Sequence, residues 1–230
     1  MAAQSFTFNG TASTTYDIIV KKLPPIITPK RDIESLKIDG RNGNLHIDNE
    51  TYNSYEATME IIVNTLSQLD TIKGWLTGIG TITFSDRPDI QYTATIKNQI
   101  SYDMYTYNSK IVPIQMELSP IGYSTTETTV TKTTSPATFT VTGTFEVKPT
   151  LEIKGTGAVA ITLNGDTFNL TNCNATAYIV DCDLQNVTKS GSNVNGDFTG
   201  DFPSLVIGTN TLTWTGTVSE IKVKYRVGWL

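Results

Sequence analysis

Short runs in which apolar and polar residues alternate, each stopped by a turn containing Gly, Asn or Pro, recur along most of this 230-residue chain. Alternation at period two puts successive side chains on opposite faces of a strand, so a chain built from such runs folds into sheets. Ser5-Phe6-Thr7-Phe8 stops at Asn9-Gly10. Glu56 to Asn64 alternates around Met59, Ile61 and Val63, and Gly80-Thr81-Ile82-Thr83-Phe84 repeats the pattern. Composition agrees, because 39 residues are Thr, a β-branched type that favours strands over helices. Apolar residues (38%) and charged residues (17%) are both sparse, yet Leu, Ile, Val and aromatics recur throughout. A helical bundle, a coiled coil and a disordered chain are thereby excluded.

The order of signals predicts a mainly β protein of two domains, 1–130 and 131–230. Tyr16 to Val20 reads as a strand, and Leu23 to Pro29 as an extended edge segment, since its prolines lack an N–H donor. Leu36-Lys37-Ile38, the turn dipeptides Asp39-Gly40 and Asn42-Gly43, and Leu45-His46-Ile47 predict a hairpin. The period then changes. Leu66, Leu69, Lys73 and Leu76 fall at helical spacing, with Thr65 and Gln68 as a capping box and Gly78 as a stop. This is the one expected helix, about three turns long. Asp86-Arg87-Pro88-Asp89 reads as a turn, and Tyr92–Ile100 and Lys110–Leu118 as strands paired across Tyr102–Asn108. A polar, Thr-rich stretch over 124–136 is expected to be an exposed join. Beyond it, short strands at 8–12-residue spacing predict a β-sandwich or jelly roll.

The net charge of −5 and pI of about 4.9 argue against a nucleic-acid binder, which needs cations to displace phosphate counterions. Residues 1–130 hold 10 Lys+Arg against 14 Asp+Glu, and residues 131–230 hold 7 against 8, so the excess of acid is −4 and −1 respectively. No apolar stretch reaches a membrane span and no signal peptide is evident. Cys173 and Cys182 are read as free thiols, and the five N-x-[ST] triplets as chance. The single histidine, His46, has no local acid or nucleophile and reads as structural. Asn193-Val194-Asn195-Gly196-Asp197 departs from a calcium loop and reads as a turn. Gly155-Thr156-Gly157 is too short for a dinucleotide loop, Asp181 and Asp183 fit one strand face, and Trp214 reads as core. No catalytic, metal or cofactor residue is therefore assigned, and no enzyme activity is expected.

The chain resembles the distal tail proteins of long-tailed, non-contractile bacteriophages. Phe6-Thr7-Phe8-Asn9-Gly10 with Asp17-Ile18-Ile19-Val20 resembles that family's opening, and Ile38-Asp39-Gly40-Arg41-Asn42-Gly43-Asn44-Leu45 its glycine-arginine hairpin. Thr83 to Ala94 resembles the strand after its helix. Gly200-Asp201-Phe202-Pro203-Ser204-Leu205 with Trp214-Thr215-Gly216-Thr217-Val218 resembles the closing strands of its galectin-like jelly roll. The resemblance implies a ring-forming N-terminal β-sandwich-like domain with one helix, a galectin-like C-terminal domain, and a hexameric ring at the virion's distal tail end. Its implied partners are the tail tube protein, the hub or tail-associated lysin, and receptor-binding proteins, with synthesis in the host cytoplasm. No room exists for an inserted carbohydrate-binding module, so direct host-sugar binding is not expected. The alternative function class is a carbohydrate-binding or adhesive β-sandwich at a cell surface.

Overall fold

The computed structural model describes residues 4–64, 66–97, 110–174 and 176–230. Two compact units divide the chain, Met1–Gly122 with Leu230, and Tyr123–Trp229.

The first unit contains β1 (Phe6–Phe8), β2 (Thr11–Ala12), β3 (Ile18–Lys22), β4 (Arg31–Lys37), β5 (Asn44–Tyr52), β6 (Tyr55–Val63), α1 (Leu69–Trp75), β7 (Gly78–Phe84), β8 (Arg87–Ile96) and β9 (Lys110–Leu118). One antiparallel sheet runs in the order β2-β1-β7-β8-β9-β6-β3. The alternation read from sequence is its pleat. Met59 and Ile61 on β6 lie opposite Ile114 and Val112 on β9, and all four are buried. Phe6, Phe8, Ile82 and Met116 belong to the same core.

Three local expectations shift. Ser13–Tyr16 forms a 3₁₀ turn closed by Asp17 at φ 52°, so the strand begins at Ile18 rather than Tyr16. Arg87 already belongs to β8, leaving Ser85-Asp86 as the turn. The helix is shorter than three turns. A 3₁₀ turn, Leu66–Gln68, leads into the seven residues of α1, and Thr65 lies outside the described residues. The helix stops early because its apolar side is used up at once. Ile72 and Leu76 are buried, and Trp75 stacks on Phe6 at 5.6 Å while its Nε1 donates to the Phe8 carbonyl at 3.1 Å. Gly78, expected as the helix stop, starts β7 with φ +72°. β8 and β9 pair from Ala94↔Leu118 to Ile96↔Met116, and the expected turn over 102–108 lies outside the described residues.

Among the described residues, strands β4 and β5 pair only with each other, from Arg31↔Tyr52 to Lys37↔Asn44. Gly40 and Gly43 take φ near +80° in their connection, which is why the two turn dipeptides sit there.

The second unit contains β10 (Gly122–Ser124, shared with the first), β11 (Thr128–Lys132), β12 (Ala137–Val141), β13 (Thr150–Leu163), β14 (Asp166–Cys173), β15 (Tyr178–Asp181), β16 (Asn186–Lys189), β17 (Ser192–Asn193), β18 (Phe198–Gly200), β19 (Gly208–Tyr225) and β20 (Gly228–Trp229). The Thr-rich stretch is mostly exposed, but part of it is ordered sheet. β11 pairs with β19 over Thr128↔Tyr225 to Lys132↔Ile221, with Val130 packed on the core. The stretch therefore lies within the second unit.

Two long strands, β13 and β19, organise this unit. The first half of β13 pairs with β15 and its second half with β14, while β19 follows it along both halves. Register shifts between Lys154 and Ala160 mark the bend that carries both strands from one layer of the sandwich to the other. Only glycine fits there. A Cβ on Gly155 would meet the Thr217 carbonyl oxygen at 2.6 Å, and Gly216 sits at φ +88° against the Ala158 carbonyl. The Gly155-Thr156-Gly157 triplet is thus a strand bend. Leu151, Ile161, Phe168, Tyr178 and Leu212 fill the space between the layers.

Candidate interaction surfaces

The side chains singled out for chemistry have structural employment. His46 lies on exposed β5 opposite Ser35, and Asp48 shares their ribbon face. Asp48 is committed to Arg31 Nε at 2.6 Å and to the Glu50 N–H, which hold its carboxyl below the usual range, and Ser35 accepts from Asn44. Asp181 Oδ1 accepts the N–H groups of Asp183 and Leu184, so the two acids build a turn rather than line one strand face. Asn193 and Asn195 likewise accept backbone N–H groups, from Asn195 and Val187. Asp197 takes the Tyr178 phenol hydrogen at 2.6 Å. Among the described residues no three His, Cys, Asp or Glu side chains are grouped to hold a metal.

Cys173 and Cys182 are both buried free thiols, and burial pushes the Cys182 thiol up to about 12. Trp214 is half-buried against the sandwich core, and its backbone N–H donates to Ser135 Oγ. On the outer side of β13 and β19, Glu152 bonds Lys224 at 2.9 Å and lies 3.5 Å from Lys222, while Lys154 bonds Glu220 at 3.1 Å. These cross-strand pairs fix register on a solvated face.

An open cleft of about 210 Å³ in the second unit is lined by Tyr123, Glu127, Lys148, Asp183, Lys224 and Arg226. Its cations are partly occupied. Arg226 donates to the Ser124 and Thr125 carbonyls and Lys224 to Glu152. Mixed charge and open walls give it no defined ligand.

Exposed apolar side chains fall on both units, Leu184 and Ile207 among them on the second, and some of those on the first unit lie in a row. The first unit's outer sheet face carries Ile19, Ile62 and Ile111 in register across β3, β6 and β9. Ile19 is 51% exposed and Ile111 50%. Further along the same face, Lys21 pairs with Glu60 at 3.2 Å, and Lys97 with Glu117 at 2.6 Å and Glu56 at 3.6 Å. The β4–β5 ribbon is exposed along almost its whole length, and Ile33, Leu36, Ile38 and Ile47 on it are open to solvent. Sequence reading finds the hairpin but not its exposure. Leu36 and Ile47 look like core residues until the topology shows that, among the described residues, no third strand joins the ribbon and both stay exposed.

No family model matches the chain, and no curated protein matches it. Among solved structures, the fold is that of SPP1 Dit, described as a paradigm of the hub adsorption apparatus in Gram-positive infecting phages. The likeness has a TM-score of 0.82 at 16% identity and covers 98% of this chain and 99% of that one.

Proposed function

We propose that this chain is a structural phage tail-tip protein, a distal tail protein whose copies form a hexameric ring joining the tail tube to the baseplate hub and receptor-binding apparatus. The observation that carries this reading is the end-to-end likeness to SPP1 Dit, including both units and their order. The exposed β4–β5 ribbon supports the oligomer, since a two-stranded hairpin with no further strand beside it among the described residues is marginal in water. Residues 1–130 would build the ring, with the stretch from Tyr123 onward already tied to the second unit's sheet, and residues 131–230 would stand as a galectin-like sandwich outside it. The protein would act without catalysis and reside at the distal end of the virion tail.

Charge supports a channel role. Six copies would bring −24 to the ring domain, counting residues 1–130. An acidic lumen repels DNA phosphate, whereas a cationic one would release counterions and hold the DNA. Acids within about 8–10 Å of the lumen would act on passing DNA at physiological salt.

Light scattering across a concentration series, with negative-stain micrographs of the same sample, tests the reading. The expected species has about six chain masses and appears as a ring without added sugar. A monomer at every concentration, or a monomer that binds glycan saturably, would overturn it in favour of a cell-surface adhesin. A hexamer with a basic channel would keep the ring and discard the electrostatic argument.

A further inference from the structure

An Asn-Gly dipeptide is prone to close on itself, because glycine has no Cβ to shield its backbone nitrogen from the asparagine side chain. Four occur in the chain: Asn9-Gly10, Asn42-Gly43, Asn164-Gly165 and Asn195-Gly196. Three have their side-chain amides tied down. Asn9 Oδ1 accepts the Thr81 N–H at 2.9 Å, and its amide fills the space that a Cβ on Gly80 would take. Asn164 donates to Asn210 Oδ1 at 2.7 Å and to the Ser204 carbonyl at 3.3 Å, and it accepts the Thr211 N–H at 3.0 Å. Asn195 Oδ1 accepts the Val187 N–H at 2.6 Å.

Asn42 differs. Among the described residues, neither its side-chain amide nor the Gly43 N–H has a hydrogen-bond partner. Every residue from Asp39 to Asn44 is exposed, and a Cβ on Gly43 would meet nothing within 4 Å. The pair sits in the connection between β4 and β5, directly outside the last cross-strand pair, Lys37↔Asn44. Turning the Asn42 side chain onto the Gly43 nitrogen therefore breaks no hydrogen bond of its own. A held amide must first be opened, and losing even one net hydrogen bond slows a reaction that needs it free by up to about tenfold.

We propose that Asn42-Gly43 is a self-modification site, at which the folded chain deamidates while the other three Asn-Gly pairs are held. The Gly43 nitrogen, giving up its proton to base, attacks Asn42 Cγ. The new N–C bond closes a cyclic imide, and the C–N bond of the side-chain amide breaks to release ammonia. Water then opens the ring. Breaking the bond from nitrogen to Cγ leaves aspartate, and breaking the bond to the main-chain carbonyl carbon leaves isoaspartate. Water is the only co-reactant and nothing is oxidised or reduced. Either product adds one negative charge to the chain's −5. Isoaspartate also adds a carbon to the main chain, but in the connection rather than in the paired strands, so the ribbon is kept. The inference does not depend on the ring reading, since each chain carries both reacting groups.

The full chain is incubated folded and dilute in mildly alkaline buffer, and in parallel unfolded in guanidinium chloride at the same pH. Pepsin digestion in acid stops the reaction, and mass spectrometry with electron-transfer fragmentation separates aspartate from isoaspartate. In the folded chain, the peptide holding Asn42 should gain about one mass unit about tenfold faster than those holding Asn9, Asn164 or Asn195. In denaturant the four rates should converge. Isomerisation at Asp39-Gly40 changes neither mass nor charge, so it does not enter the readout. An acidic form should grow on ion exchange in step with the mass gain. Asn42→Gln, whose longer side chain closes the ring poorly, should suppress that form and leave thermal unfolding unchanged. Equal folded rates at the four pairs, a different pair reacting first, or an Asn42 that reacts only in denaturant would each overturn the assignment. An acidic form that persists in Asn42→Gln would do the same.

Discussion

Tyr178 donates its phenol hydrogen to Asp197 Oδ2 across 2.6 Å, and Lys189 Nζ sits 4.3 Å from the centre of the same ring. The bond ties the turn at 195–197 to β15 in the sandwich core. Burial, then Asp197, pushes the Tyr178 phenol well above its ordinary value, and the Tyr178 bond holds the Asp197 carboxyl below its own.

These shifts fix a pH dependence. Asp197 is depressed in the folded state, so its contribution is present above the unfolded value of about 3.9 and is lost as pH falls through the folded value. Tyr178 is raised, so its contribution is complete below about pH 10 and is lost as pH rises toward the folded value. The gap in urea midpoint between the unaltered protein and Tyr178→Phe should therefore be widest from about pH 5 to 9 and narrow at both ends. A gap of constant width from strong acid to strong alkali would contradict the account.

Cys173 and Cys182 should resist a thiol reagent in the folded protein and both react after denaturation without reductant. Burial supplies the reason in each case, raising the thiol and excluding the reagent. Mass spectrometry counts the adducts. A mass two units low with no labelling would mean a disulfide.

Gly216→Ala should destabilise the protein by about 1–3 kcal/mol, because the new Cβ meets the Ala158 carbonyl at a backbone angle that L residues avoid. Gly191→Ala has open space around it at a similar φ and separates the clash from the backbone strain. Denaturant unfolding of both should rank Gly216 as the costlier site. Equal losses would leave the steric contact without weight.

Trp75→Ala should lose the ring stack on Phe6, the edge contact with Phe8 and the bond to the Phe8 carbonyl. Trp75 is only part-buried, so the expected cost lies near the lower end of the about 3–5 kcal/mol typical of aromatic truncation. Trp75→Phe, which keeps ring packing but not the N–H, should recover much of the loss in the same unfolding experiment.

Much of the fold was legible because strand periodicity and turn dipeptides are local signals. Met59, Ile61 and Val63 point inward as their spacing implies, and Asp39-Gly40 and Asn42-Gly43 turn the ribbon. The helix was legible in place but not in length, since its end is set by how Trp75 packs on Phe6 and Phe8 of β1, a contact far away in sequence. Thr128 to Lys132 read as a polar join because period two there involves threonine and one valine, and only its register with β19 makes it sheet. The exposed apolar surface was the least legible part. An alternating strand shows two faces, and nothing in Leu36 or Ile19 says which face the rest of the chain leaves uncovered.

The stapling of the two ends of the sandwich has an engineering consequence. Thr128 lies opposite Tyr225, the Ser124 N–H bonds the Val227 carbonyl at 2.9 Å, and the Arg226 guanidinium clasps the Ser124 and Thr125 carbonyls. Entry and exit strands thus leave the unit at one point. A unit whose ends meet is a transplantable cassette, because a linker of a few residues can rejoin those ends while the chain is reopened at an exposed turn such as Ser190-Gly191. The same closure lets a different sandwich be grafted at that point, or this one be lifted onto another scaffold, with one short splice in place of two distant ones.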